Sequence, residues 1–186
     1  MEKLCGIDEA GRGPLAGPLY VAGVVFKNDI TNIKELELLN DSKKLTEKKR
    51  EYLFDIIKEY SYFHIAHRSN QQIDQLGISV CIKESILEII ENVNGYEYLM
   101  DGNTSFGIPN LNHLIKADAT IKEVSAASIL AKVARDRYMV DIAKEYPLYL
   151  FEKHKGYGTQ LHIDLIKQYG RCELHRKSYL INGVDR

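Results

Sequence analysis

The sequence predicts an α/β fold in which one mixed, five-stranded sheet is covered by helices. Two observations carry that expectation. Three short apolar runs come first, at 4–7, 19–26 and 62–66, each bounded by turn residues in the manner of strands. Two more, at 96–100 and 111–115, then alternate with long segments of helical periodicity. Hairpin-like connections early and strands alternating with helices later argue for a mixed sheet covered by helices, in one α/β layer structure.

The elements follow in order. Leu4–Ile7 and Leu19–Phe26 flank a glycine-rich segment and predict a hairpin with an unusual loop. Thr46 is placed to cap a helix from Lys48 to about Glu59, where Leu53, Ile56 and Ile57 share a face, and Tyr62–Ala66 returns as the third strand. From Asn70 to Val93 the apolar residues Ile73, Leu76, Val80, Ile86 and Ile89 keep helical spacing. They predict a single long helix stopped by Asn94-Gly95. Tyr96–Met100 and Leu111–Ile115 are the late strands. Lys122 to Glu145 is rich in small residues, Ser125 to Ser128, Ala131 and Ala134, which let a helix approach a sheet closely, and Pro147 closes it. A last helix runs from about Gln160 to Tyr169 and ends at Gly170. Residues 1–186 read as a single domain. Gly156-Tyr157-Gly158-Thr159 joins the main layer, about 1–150, to a small C-terminal helical lobe, about 151–186, that is not expected to fold alone.

Composition narrows the function. A formal net charge of −1 does not announce a nucleic-acid binder, but from Phe151 onward lysine and arginine outnumber acids, so a basic backbone-binding tail is expected. Three widely separated cysteines without CxxC spacing indicate neither a disulfide framework nor a thiolate metal site, and point to a reducing compartment. No apolar run approaches the roughly 20 residues of a membrane span, and the first residues lack a signal-peptide core. A cytoplasmic protein with no membrane partner is expected.

The chemistry concentrates in acids at strand ends. Asp8 and Glu9 close the first apolar run just before Gly11-Arg12-Gly13, a turn that allows close backbone approach to an anion and adds one guanidinium. Asp101 ends the fourth run and Asp118 follows the fifth. Ligands in α/β sheets collect beyond strand ends, so these four acids are candidates for one site. Converging carboxylates repel one another unless divalent cations neutralise them, and oxygen ligands of this kind suit magnesium or manganese. Two ions about 3.5 to 4 Å apart can activate water and stabilise the leaving oxygen of a phosphodiester. Each acid alone also has an ordinary reading, as a turn residue, a helix cap or a solvated side chain. Asp136, between Arg135 and Arg137, reads as part of a solvated helix face. Ser125 and Ser128 read as packing residues. The histidines show no HxH or HExxH spacing, and neither a Walker lysine nor GxGxxG is present.

Assembled, these segments closely resemble bacterial type 2 ribonucleases H, the ribonuclease HII family. The resemblance runs from Gly6-Ile-Asp-Glu-Ala-Gly-Arg-Gly-Pro14 through Asn40-Asp-Ser-Lys-Lys-Leu45, Met100-Asp-Gly102 and Lys116-Ala-Asp118. It continues over Val124-Ser-Ala-Ala-Ser-Ile-Leu-Ala-Lys132 and His154-Lys-Gly-Tyr-Gly-Thr159 to His175-Arg-Lys-Ser178. It implies a ribonuclease H-like sheet with a C-terminal helical extension. The implied activity is hydrolysis of RNA in RNA–DNA hybrids and incision of duplex DNA on the 5′ side of embedded ribonucleotides, leaving a 3′-hydroxyl and a 5′-phosphate. By the same resemblance Asp8, Glu9, Asp101 and Asp118 hold two Mg2+ or Mn2+ ions. Gly11, Arg12 and Gly13 hold the ribonucleotide and its phosphates, and Tyr157 reads the 2′-hydroxyl and stacks on the following deoxy sugar. Lys43 and the basic tail are natural phosphate contacts. Arginine between two glycines, and a catalytic strand starting within the first few residues, fit the HII type better than the HIII type. A monomer is expected, and the short tail after Arg176 leaves little room for a sliding-clamp peptide. A metal-dependent phosphatase and a non-catalytic hybrid-binding module are the rival readings.

Overall fold

The computed structural model describes residues 3–185; the side chains of residues 40–43 lie outside that description. Lys43, an expected phosphate contact, is therefore outside the described residues. Strands β1 (Leu4–Ala10), β2 (Leu19–Phe26), β3 (Ser61–Arg68), β4 (Glu97–Asp101) and β5 (Leu111–Leu114) form one sheet in the order β3-β2-β1-β4-β5. β1 pairs antiparallel with β2, and β2 with β3; β1 pairs parallel with β4, and β4 with β5. The mixed five-stranded expectation is met. β1 is longer than its apolar run: Asp8 and Glu9 are paired strand residues opposite Ala22 and Val21.

The helices are α1 (Glu47–Tyr60), α2 (Asn70–Leu76), α3 (Ile78–Asn92), α4 (Lys122–Ile142), α5 (Phe151–His154) and α6 (Gln160–Tyr169). Thr46 caps α1, its hydroxyl accepting from the Lys49 N–H at 3.3 Å. The single helix expected over 70–93 is two, because the backbone turns at Gly77 (φ +83°), whose N–H still closes α2 on Ile73. Periodicity alone misses this break, since the apolar spacing carries across it. A capping box at Ser69 and Gln72 starts α2.

Alternation along β1 sorts the core into two faces. Cys5 and Ile7 join Val21, Val25, Ile82 and Ile86 beneath α3. Ala10 faces the other way, with Ala22, Val24, Leu53 and Ile57, toward α1 and α4. Gly6 lies on that second side, where a Cβ would stand 2.3 Å from the Val124 nitrogen. Only glycine lets the start of α4 lie so close to β1, and this brings Ser128 over Asp8. Each fully buried Ile or Leu contributes about 1.5 to 3 kcal/mol. A third cluster, of Ala16, Met139, Tyr149, Phe151 and Leu174, seats the C-terminal segment against α4. No helix among the described residues is long and apolar enough to cross a membrane.

Candidate active site

Three aspartates converge. Oxygens of Asp8, Asp101 and Asp118 lie within 4.8 Å of one another, although the residues come from β1, the end of β4 and the turn after β5. Asp101 organises this turn: its Oδ1 accepts the Ala117 N–H at 2.7 Å, fixing the 3-10 turn 117–119 that carries Asp118. Lys116 enters that turn in the left-handed region at φ +61°. Asp8 and Asp118 are buried and Asp101 is half-buried.

Glu9 is placed differently. By strand alternation its Cβ leaves β1 opposite that of Asp8, and it lies outside the 4.8 Å set, yet its carboxylate stays close enough to Asp8 and Asp101 to interact with both. Among the described residues its Oε2 is buried without a hydrogen-bond donor, while Oε1 lies 3.8 Å from the Arg12 guanidinium. Burial, then the neighbouring Glu9 carboxylate, hold the Asp8 carboxyl well above the usual carboxylate range. Ser128 and the Glu9 N–H, whose bond to Asp8 Oδ1 is 2.8 Å, partly offset this. Burial also raises Glu9, against the pull of Arg12 and with a further push from Asp101. Three oxygen donors packed this closely, with a fourth carboxylate beside them and one oxygen unsatisfied, suit a hard divalent cation.

The glycine-rich turn is backed by two buried guanidiniums. Arg135 of α4 donates to the carbonyls of Pro18 (2.9 Å), Ala16 (3.1 Å) and Lys155 (2.9 Å). Arg176 donates to Gly11 (2.6 Å), Arg12 (3.0 Å) and Gly17 (3.0 Å). Both are fully buried, and burial lowers the Arg135 pKa to about 10, which still leaves it charged at neutral pH. Gly11 has φ +100°, and a Cβ there would stand 2.3 Å from Arg135 Nε. With the carbonyls drawn inward onto cations, the exposed Arg12 and Gly13 face solvent from a positively backed loop.

Tyr157 is joined to the same loop through Arg135, whose guanidinium lies 5.4 Å from the ring centroid; Lys132 lies at the same distance. The residue is 37% exposed, enough to meet a ligand.

Several residues depart from their sequence reading. Asp136 is not on a solvated face: it is buried and paired with Lys132 at 2.7 Å, and Arg135 beside it is buried too. Ser125 packs as expected, donating to the Leu39 carbonyl at 2.7 Å, but Ser128 lies near enough to Asp8 for its hydroxyl to pull the Asp8 pKa down. The basic tail is partly structural, since Arg176 is buried and Arg171 is tied to Asp185 at 2.7 Å. Arg135 and Arg176 were not singled out in the sequence for the turn. Position 135 falls on the buried α4 stripe with Val124, Ala127 and Ala131, which was the available signal.

A mixed sheet that gathers three aspartates beside a cation-backed turn defines a metal-dependent phosphodiester hydrolase. The profile of the family Ribonuclease HII matches residues 5–181. Ribonuclease HII of Aliarcobacter butzleri is 58% identical over 186 residues, covering 99% of this chain and 94% of that protein. Among solved structures, the PCNA:RNase HII complex from Archaeoglobus fulgidus contains a chain with a TM-score of 0.80 and 27% identity, covering 94% of this chain and 92% of that one. Ribonuclease H2 from Pyrococcus horikoshii OT3 matches with a TM-score of 0.75 and 28% identity, covering 95% and 93%. The chain belongs to the ribonuclease HII family. It is thus a divalent-metal-dependent endonuclease for RNA–DNA hybrids.

Proposed function

We propose that the enzyme, besides hydrolysing RNA in hybrids, incises duplex DNA on the 5′ side of single embedded ribonucleotides, leaving a 3′-hydroxyl and a 5′-phosphate. The observation that carries this reading is Arg135, which bonds the Gly11–Pro18 loop and underlies the Tyr157 ring. One buried cation thereby couples a phosphate-holding turn to an exposed aromatic. RNA differs from DNA at a single site by its 2′-hydroxyl, so discrimination needs a group that meets the sugar as well as one that holds phosphate.

Asp8, Asp101 and Asp118 hold the metal, with Glu9 completing the ligand set from the neighbouring strand position. Two magnesium or manganese ions bound there would supply Lewis acidity at the scissile phosphate and lower the pKa of the attacking water. Ser128 and the Ala117 N–H hold Asp8 and Asp101 in orientation. The amides of Gly11, Arg12 and Gly13 and the Arg12 guanidinium grip the phosphates around the ribonucleotide. Tyr157 meets the 2′-hydroxyl with its phenol and the next sugar with its ring. Lys43 serves as a phosphate contact in this reading.

Residues 151–186 belong to the same domain. This is supported by the Ala16–His175 bridge and the Arg176 bonds, which make the loop and the C-terminal segment one unit. A cytoplasmic monomer fits the three free cysteines, Cys5 and Cys81 buried and Cys172 partly so. The test is a duplex with one embedded ribonucleotide, incubated with Mg2+ or Mn2+. A nick 5′ to the ribonucleotide is expected; its absence with both metals rejects the reading. Cleavage of an ordinary hybrid should weaken steeply as salt rises, which a small-ester phosphatase would not show.

A further inference from the structure

Behind Tyr157 lies a chain of imidazoles that no catalytic role accounts for. The rings of His154 and His162 stack at 4.1 Å, and His162 Nε2 meets His175 Nε2 at 3.1 Å; all three histidines are buried. Backbone groups settle where the protons sit. The Cys172 N–H can only donate, and it points at His175 Nδ1 from 2.8 Å, so that nitrogen is bare and Nε2 carries the hydrogen. The Cys172 carbonyl is further away, at 3.3 Å. His175 Nε2–H therefore donates to His162 Nε2, and the His162 proton resides on Nδ1. That proton meets the Tyr157 carbonyl at 2.9 Å.

The segment receiving this bond needs holding. Tyr157 sits between two glycines, and Gly156 has φ +83°. The Tyr157 N–H bonds the His154 carbonyl at 2.9 Å and its own carbonyl takes the Thr159 N–H at 2.8 Å, but glycine on either side permits wide backbone freedom, so further contacts to that carbonyl help set the orientation of the tyrosine. A Cβ at Gly156 would stand 2.4 Å from the Ala16 carbonyl, so the segment is pressed against the glycine-rich loop. His175 itself bridges to Ala16.

We propose that His162, oriented by His175, is a positioning residue for substrate recognition: its Nδ1–H holds the Tyr157 carbonyl and so fixes the tyrosine ring against the Gly11–Pro18 loop. This rests on the reading of Tyr157 as the ribose-facing side chain.

Two substitutions separate the bond from mere packing. His162→Asn places an amide N–H near the Nδ1 position and keeps the donor to Tyr157, whereas His162→Gln mimics Nε2 and removes that donor. His162→Gln is expected to raise KM for the single-ribonucleotide duplex about tenfold, the worth of one hydrogen bond. Its kcat and its metal dependence should stay within about twofold, and His162→Asn should keep KM near wild type. In a Tyr157→Ala background, His162→Gln should add nothing. Equal KM changes in the Asn and Gln variants, or an undiminished effect without the tyrosine side chain, would overturn the proposal. Long-range 1H–15N NMR on the wild-type protein tests it without any substitution: His162 should be protonated on Nδ1 and His175 on Nε2. The reverse tautomers would overturn the relay while leaving the ribonucleotide reading intact. A wild-type nick that Tyr157→Ala leaves unchanged would instead overturn the role of Tyr157 and the relay with it.

Discussion

Two buried charged regions adjoin in this enzyme, and they are built on opposite terms. The aspartates and Glu9 repel one another, a Glu9 oxygen is unsatisfied among the described residues, and burial first and this repulsion second drive the Asp8 carboxyl upward in pKa. Arg135 and Arg176 are buried more deeply still, yet each finds at least three backbone carbonyls. The cationic region is complete within the chain. The acidic region is complete only with a cation from outside. Burial of charge is therefore no single signature: satisfied charge marks a scaffold, and unsatisfied charge marks a site awaiting a ligand.

The largest expected effect breaks the acidic side. Asp101→Asn should lower kcat by at least about a hundredfold, the scale of deleting one electrostatic element from an active site. Hybrid binding measured by fluorescence anisotropy should change little. Retained cleavage would remove Asp101 from the site.

On the cationic side the loss should appear in folding. Arg176→Lys keeps the charge but cannot reach the Gly11, Arg12 and Gly17 carbonyls together, and buried acceptors left without donors cost about 1 to 3 kcal/mol each. Urea unfolding should show a loss of about 2 to 4 kcal/mol. A loss under 1 kcal/mol would show that the clamp is replaceable. Ser128→Ala tests the support beneath the aspartates. Removing an outer partner of a metal ligand commonly weakens metal binding by 10- to 100-fold, so the Mg2+ midpoint for cleavage should rise by about tenfold.

The smallest effect is on stability against pH, where two groups of residues act with opposite sign. Buried Asp8 and Glu9 have raised pKa values, so the metal-free fold binds protons more readily than the unfolded chain. Their contribution improves as pH falls toward their unfolded values near 4. His162 and His175 are lowered to about 4 by burial, in surroundings that include His154, Tyr149, Cys172 and Arg171. The unfolded chain takes up their protons first, so their contribution is lost as pH falls from about 6.5 to 4. Urea midpoints over that range should fall more steeply for Asp8→Asn than for wild type, because the opposing carboxylate is gone. Parallel curves would show that the two contributions do not oppose each other.

How far the sequence could be read follows the same division. Asp8, Asp101 and Asp118 stood out because acids at the ends of apolar runs conflict with their surroundings. Thr46 and Gly170 showed as helix ends because caps have local chemistry. Arg135 and Arg176 did not show, since their partners are carbonyls, which every residue carries and no sequence displays. Asp136 misled for a different reason: three adjacent charges look solvated until α4 is known to bury two of them, one of them against Lys132. The separation of Glu9 from the aspartate set depends on how far β1 extends, and its apolar run stops before the strand does. Gly77 was hidden inside an unbroken periodicity.

Arg176 reaches Gly11 across 165 positions of sequence. Contacts so distant along the chain form late, and synthesis delivers the aspartate of β1 long before the arginine that shapes its neighbouring turn. A nascent chain could thus assemble much of its sheet while the loop beside it still lacks its backing. Such timing would delay a nuclease's grip on hybrids until translation of its last helices is over.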